Sequence, residues 1–292
     1  MTERQSPPTA RVVQVLNLLG DTPHRRLSLT EVAERLGLSK PTCLGILTTL
    51  VDSGFVTRDA VKTYGLGPAQ LRLGWAAETG LAALDLVRPH FRALHERLGL
   101  ACVLAAVHGE HLVVLDRLGT LAPGDHRDLV GERFPFRPPL GLINVAWDDD
   151  EAVRAWLHRP ALVPLAVDAA GTWELIRAAR ESGYIVERHT GAVATPNTVL
   201  ANLEVSGLST PVVEELRRHL PPADWAEYAT ELPADGPFPV AGLSAPVHDR
   251  HGRQRYTLTI LANRPNVAAA QCRAWLADLL ATTRAATAAL GG

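Results

Sequence analysis

LSLTEVAERLGLSKPTCLGILTTL, residues Leu27 to Leu50, holds two helix starts and one helix stop. Ser28 with Glu31 three positions later is a capping box, in which each side chain satisfies a backbone N–H of the other residue. It sets a helix start at Ser28, with Val32, Ala33 and Leu36 facing inward. Gly37 supplies the left-handed residue that a tight helix–helix turn needs. Ser39 then caps a second helix that tolerates Pro41 in its first turn. Cys43, Ile46, Leu47 and Leu50 are its core positions. Two helices joined this way at a glycine are a helix-turn-helix.

Upstream, Val12, Val15, Leu16 and Leu19 make one apolar stripe on a helix that Asp21, Thr22 and Pro23 end. Downstream, Phe55 to Arg58 and Lys62 to Leu66 read as two short strands around Asp59-Ala60-Val61, which is a wing. A helix presented by such a turn fits the major groove with its N-terminal residues toward base edges. Ser39, Lys40, Pro41, Thr42 and Leu44 are placed to approach DNA, and Arg58 and Lys62 to reach flanking phosphates. A winged helix used for protein contact is the competing reading. Arg25 and Arg26 read most simply as solvated loop charges, with a position near phosphate as the alternative.

The charge balance agrees with DNA binding in sign. Met1 to Leu66 holds eight cations and six anions, a net +2, which leaves −4 for the rest of a chain whose total is −2. With 47% hydrophobic and 21% charged residues over 292 positions, the chain is globular, with room for two domains. Met1 to Ala10 lacks an apolar core, so no secretory signal is expected. No apolar run reaches membrane-spanning length. Cys43, Cys102 and Cys272 are odd in number and widely spaced, which points to a cytoplasmic protein with reduced thiols.

Beyond residue 68 a linker helix is expected at 69–88. The spacing of Leu81, Leu84, Val87, Phe91, Leu94 and Leu98 carries the helix onward, with Pro89 bending it or opening its second half. Residues 89–292 form the second domain. Ala101 to Val107 and His111 to Arg117 read as a hairpin through His108-Gly109-Glu110, and residues 125–139 as loop. Helices are expected at Leu140 to Ala146, Asp148 to Leu157 and Thr172 to Arg180, and a strand at Tyr184 to Glu187. A second hairpin, Pro239 to Val247 with Arg255 to Leu261, precedes a final helix from Ala269 to Leu290. An antiparallel sheet with helices on its faces is an α+β sensor-type domain, whose ligands sit in concave, mostly apolar pockets.

In the order and spacing of its motifs the chain resembles the IclR family of bacterial regulators. The resemblance rests on Arg11 to Leu16, Leu29 to Leu50, Ser53-Gly54-Phe55-Val56, Tyr64-Gly65-Leu66-Gly67, Leu71-Arg72-Leu73-Gly74, Gly183-Tyr184, Ala245-Pro246-Val247 and Leu290-Gly291. It implies a winged helix-turn-helix joined by the linker helix to a GAF-like effector-binding domain. It also implies dimerisation through the DNA-binding domains, often a dimer of dimers, and control of genes for small-molecule catabolism. In the DNA-facing helix, Gly45 stands where the family usually has an arginine. Pro135 to Ile143 lacks the family's usual His and Lys, and Thr259-Ile260-Leu261 retains one hydroxyl of a Ser-x-Ser strand end. The effector positions implied are Leu140, Gly141, Val240, Gly242, Thr259 and Leu261. Fewer polar anchors point to a ligand larger or more apolar than a short oxo-acid. The connection at 190–237 is longer than the family's and holds an extra helix, Pro211 to Leu220, placed to cover the pocket or build an interface.

No hydrolase, P-loop, dinucleotide or HExxH motif occurs. Asp148-Asp149-Asp150-Glu151 reads as a helix N-terminus rather than a metal cluster. His108 with His111, and His248 with His251, could pair on zinc but read more simply as solvated turn histidines. The expectation is a repressor rather than an enzyme, needing no cofactor, with an operator duplex and a small-molecule effector as partners. The alternative is a winged-helix dimerisation module that has lost its effector.

Overall fold

The computed structural model describes residues 6–21, 25–80, 82–120, 130–189, 210–220, 222–223 and 227–292. The chain divides into two compact units, Met1–Leu84 and Asp85–Gly292.

The first unit runs α1 (Pro7–Gly20), β1 (Leu27–Ser28), α2 (Leu29–Leu36), α3 (Lys40–Asp52), β2 (Val56–Arg58), β3 (Thr63–Leu66) and α4 (Ala69–Gly80). The capping box forms as the spacing predicts: Glu31 N donates to Ser28 Oγ and Ser28 N donates to Glu31 Oε2. Gly37 adopts φ 63°, closing α2 in the left-handed region. Val15, Leu19, Leu27, Val32, Cys43, Leu47, Val56 and Tyr64 are the heart of one apolar core. Leu27 and Ser28, expected only as a helix entry, also form an edge strand paired with Tyr64 and Thr63, giving a three-stranded sheet β1-β3-β2. That strand exists because β3 offers it a partner, which local sequence does not reveal.

Gly67 seals this unit. A Cβ there would lie 2.3 Å from the Gly54 carbonyl oxygen. The close approach lets Gly67 N donate to Phe55 O and Ala69 N donate to Gly54 O, fastening the wing exit to the end of α3.

Two helices occupy the region expected to hold one linker: α4 and α5 (Ala82–Leu98). Leu81 lies outside the described residues. The unit division falls in the first turn of α5, and Pro89 sits within that helix rather than at its start.

The second unit continues β4 (Ala101–His108), β5 (His111–Leu118), β6 (Arg133–Pro135), α6 (Leu142–Val145), α7 (Asp150–Leu157), α8 (Ala169–Ser182), β7 (Ile185–Glu187), α9 (Thr210–Arg218), β8 (Tyr228–Ala229), β9 (Pro237–His248), β10 (Gln254–Ala268) and α10 (Ala269–Ala289). Its sheet is antiparallel in the order β6-β5-β4-β10-β9-β7-β8, the α+β arrangement expected. The loop expected at 125–139 contains strand β6, recruited by β5; residues 121–129 lie outside the described set. The helix expected from Leu140 shrinks to the single turn α6, because Gly141 at φ 99° cannot join it. The extra helix in the long connection runs Thr210–Arg218, and residues 190–209 lie outside the described set.

Side chains on this sheet sort by face. Thr257 is gripped by Asn144 Nδ2 from α6 at 2.9 Å, so α6 covers its face. Ile185 of β7 joins Val145, Trp156 and Ile176 of α6, α7 and α8 in one core. On the other face Asp116, opposite Leu104, pairs with Arg88 of α5 at 3.0 Å. Arg97 of α5 pairs with Asp278 of α10. Among the described residues no helix is long and apolar enough to cross a membrane.

Candidate functional site

In the first unit the N-terminal half of α3 stands outward. Ser39, Lys40, Pro41, Leu44 and Gly45 are exposed, while Thr42 is half-buried. Ser39 Oγ accepts from Thr42 N and sits 2.8 Å from Thr42 Oγ1. Cys43 N donates to Ser39 O and Pro41 has no N–H. Among the described hydrogen bonds, the Lys40 N–H is therefore left without an acceptor within the protein, and it is the one available to an oxygen anion at this helix end. The inward face, Cys43, Leu47 and Leu50, is buried as the spacing predicts. A Cβ added at Gly45 would meet nothing within 4 Å, so the glycine is open surface rather than a packing necessity.

Within the same unit the wing turn carries Arg58 and Lys62, both exposed. The Arg58 guanidinium lies 5.7 Å from the centre of the Tyr64 ring. Lys62 holds the left-handed conformation, φ 64°. Arg26 is exposed, as expected of a loop charge, but it is not free. Its Nε pairs with Asp59, and its two Nη groups donate to Thr57 Oγ1, Thr57 O and Thr63 O. Asp59 also accepts from the Thr63 hydroxyl and N–H, and these bonds, helped by Arg26, hold its carboxyl below the usual range. Arg26 is thus spent on the wing's shape. Arg25 pairs with Glu31 at 2.6 Å. Sequence reading missed Arg26 because its partners lie 31 to 37 positions away.

In the second unit the register places Arg117, Val103, Thr259, Ser244 and Ile185 in one row across five strands. Cross-strand partners share a face, and this row lies on the α6 side. Gly242 is paired with Leu261 one step along, and a Cβ at Gly242 would sit 3.4 Å from Thr259 Cγ2. Val240, a further step along β9, is wholly buried. Four of the six expected effector positions, Val240, Gly242, Thr259 and Leu261, are thereby adjacent. The other two are packed elsewhere in the unit: Leu140 with Leu162, Val163 and Ala223, and Gly141 under the Phe136 ring. Ser244, absent from the expected set, is 4% exposed and its Oγ lies 2.8 Å from Thr259 Oγ1. Its signal in the sequence was the alternation Val240, Gly242, Ser244.

Two open clefts, of about 440 Å³ at Asp235, Asn266 and Arg273 and about 550 Å³ at Trp147, Asp149 and His251, are lined by none of the six. In the acidic run, Asp149 caps α7 by accepting from Ala152 N, and Asp150 pairs with Arg180 at 2.7 Å. The three cysteines are free and buried, and burial pushes the Cys102 thiol up to about 12 and that of Cys272 to about 11.

The helix-turn-helix and wing geometry has a counterpart among known proteins. Residues 8–60 match the IclR helix-turn-helix domain. The chain is also 32% identical to the HTH-type transcriptional regulator Rv1719 of Mycobacterium tuberculosis, over 70% of this chain and 81% of that protein. This chain belongs to the IclR family. Another family relation is with the HTH-type transcriptional regulator TtgV of Pseudomonas putida, 36% identical over 112 residues. That match spans 37% of this chain and 41% of TtgV, less than half the relative's length. The fold of the whole chain is shared with an IclR homologue from Microbacterium hydrocarbonoxydans complexed with 4-hydroxybenzoate. The TM-score is 0.62 at 18% identity, covering 97% of this chain and 98% of that one. The IclR fold accounts for both units, the helical head with its wing and the antiparallel sheet domain.

Proposed function

We propose that this IclR-family chain is a DNA-binding transcriptional regulator, a repressor whose operator affinity is modulated by a small-molecule effector. The observation that carries the reading is the outward N-terminal half of α3 beside a wing bearing Arg58 and Lys62, in a segment that matches the IclR helix-turn-helix domain. Ser39, Lys40, Pro41, Thr42, Leu44 and Gly45 enter the major groove, and Arg58 and Lys62 meet backbone phosphates. Two heads of a homodimer, or of a dimer of dimers, occupy half-sites about one helical turn apart. Residues 1–68 are the DNA-binding domain, 69–88 the linker and 89–292 the effector domain. The site of action is the cytoplasm, where the chromosome lies.

The effector reading rests on the sheet face formed by Val240, Gly242, Thr259 and Leu261, to which Ser244 adds a second hydroxyl. Leu140 and Gly141, just before α6, belong to the proposed set through the family resemblance alone. Among its apolar side chains the face carries the hydroxyl pair, Arg117 and, opposite Gly242, Glu187, and an aromatic acid fits that mix better than a short oxo-acid: its ring fills the apolar part and its carboxylate meets Arg117. The 4-hydroxybenzoate in the Microbacterium homologue is a ligand of that kind. The effector acts by binding two arrangements of the heads unequally, the one route by which a ligand shifts an equilibrium.

Selection of genomic fragments on the purified full chain tests the reading. The expected result is enrichment of a few discrete fragments containing a two-fold repeat. Recovery no different from bulk DNA at low salt contradicts it.

A further inference from the structure

A recognition helix ordinarily reads bases through Arg, Lys, Asn or Gln, whose paired donors and acceptors match base edges. Helix α3 has none of these beyond its first residue, Lys40, and its other exposed positions are Pro41, Leu44, Gly45, Thr48, Thr49 and, in its last turn, Asp52. Thr49 is spent, since its hydroxyl donates to Gly45 O at 3.0 Å. What remains on the outward face of the first two turns and just beyond is Leu44 and Thr48. Leu44 keeps 44% of its surface exposed on a helix whose other leucines are buried, and Thr48 lies one turn further along the same face. Gly45 beside Leu44 lowers the helix surface, with open space where a side chain would stand.

The major groove offers one apolar group, the C5-methyl of thymine. We propose that Leu44, with the methyl of Thr48, is the specificity-determining contact of this protein and reads thymine methyl groups at the centre of each half-site. Gly45 lets the helix backbone come close enough for those short side chains to touch. The inference rests on the reading above that α3 faces DNA and adds what α3 recognises there. Arg58 and Lys62 supply charge without sequence preference.

The test uses the full chain and a duplex it selects from a random-sequence library. Each thymine is replaced in turn by deoxyuridine, which removes the methyl and leaves every hydrogen-bonding group. One or two positions per half-site should each lose about fourfold in affinity, the worth of one buried methyl. Leu44→Ala, at an exposed position, should bind the thymine duplex no better than the wild type binds the deoxyuridine one, and should be indifferent to the replacement. Lys40→Ala should weaken both duplexes equally. If every deoxyuridine duplex binds like its parent, or Leu44→Ala keeps the wild-type thymine preference, methyl reading is wrong while DNA binding stands. If no duplex is selected at low salt, α3 does not face DNA and both readings fall together.

Discussion

Arg26 Nε donates to Asp59 Oδ2 across 2.9 Å, tying the segment before β1 to the turn of the wing. The same guanidinium takes two carbonyl oxygens, Thr57 O and Thr63 O, from the two wing strands. The wing is therefore tied together by a partly exposed cation whose donors are taken up within the unit, and the charges offered outward are Arg58 and Lys62. Arg26→Ala should lower the stability of the first unit by about 1–2 kcal/mol, the usual worth of charge-assisted bonds on a partly exposed group. Thermal unfolding of wild type and variant checks this. A variant that weakens DNA binding but leaves stability untouched would make Arg26 a phosphate contact instead.

The same network sets an acid limit. Asp59 is held below its ordinary value of 3.8, first by the Thr63 hydroxyl and N–H and then by Arg26. A carboxylate with a depressed folded value stabilises fully above its ordinary value, and the contribution is lost as pH falls through the folded one. Protection of the Thr63 amide, which donates to Asp59 Oδ1, should hold steady down to about pH 3.8 and decline below it. Amide exchange on Asp59→Asn should lack this step.

Two glycines of the first unit should respond to alanine with opposite signs. At Gly67 the new Cβ meets the Gly54 carbonyl at 2.3 Å, and backbone cannot step aside cheaply. Gly67→Ala should cost about 3 kcal/mol or more. At Gly45 the space is empty and the backbone is helical, so Gly45→Ala should gain about 1 kcal/mol. The same Gly45→Ala change should weaken DNA binding if the helix rides close to the groove floor. Melting and binding curves on each variant separate the two effects.

In the second unit, Ser244 and Thr259 share one partly buried hydrogen bond. Removing either hydroxyl strands the other, so Ser244→Ala and Thr259→Val should each cost about 1–2 kcal/mol, and the double variant less than their sum. Calorimetric titration with aromatic acids should show weaker binding in every variant. Unchanged affinity would place the effector elsewhere.

What could be read in advance was what short-range chemistry dictates. The Ser28–Glu31 box, the Gly37 stop, the Ser39 cap and the turn at Gly109 all formed where spacing placed them. What stayed hidden depends on distant partners. Strand β1 needs β3, Arg26 needs the wing, and Asn144 meets Thr257 across 113 positions. Ser244 became visible when the register set it opposite Thr259. Leu140 and Gly141 were placed with the effector positions by resemblance, yet Phe136 and Leu162 claim them in the packing.

The central claim is that α3 and the wing hold a duplex, and salt titration of full-chain binding to a selected operator fragment tests it most directly. Lys40, Arg58 and Lys62 from two protomers displace about six condensed counterions, so log affinity should fall against log salt with a slope of about −5. A slope near zero, or no binding at the lowest salt, would mean that this surface meets protein rather than DNA.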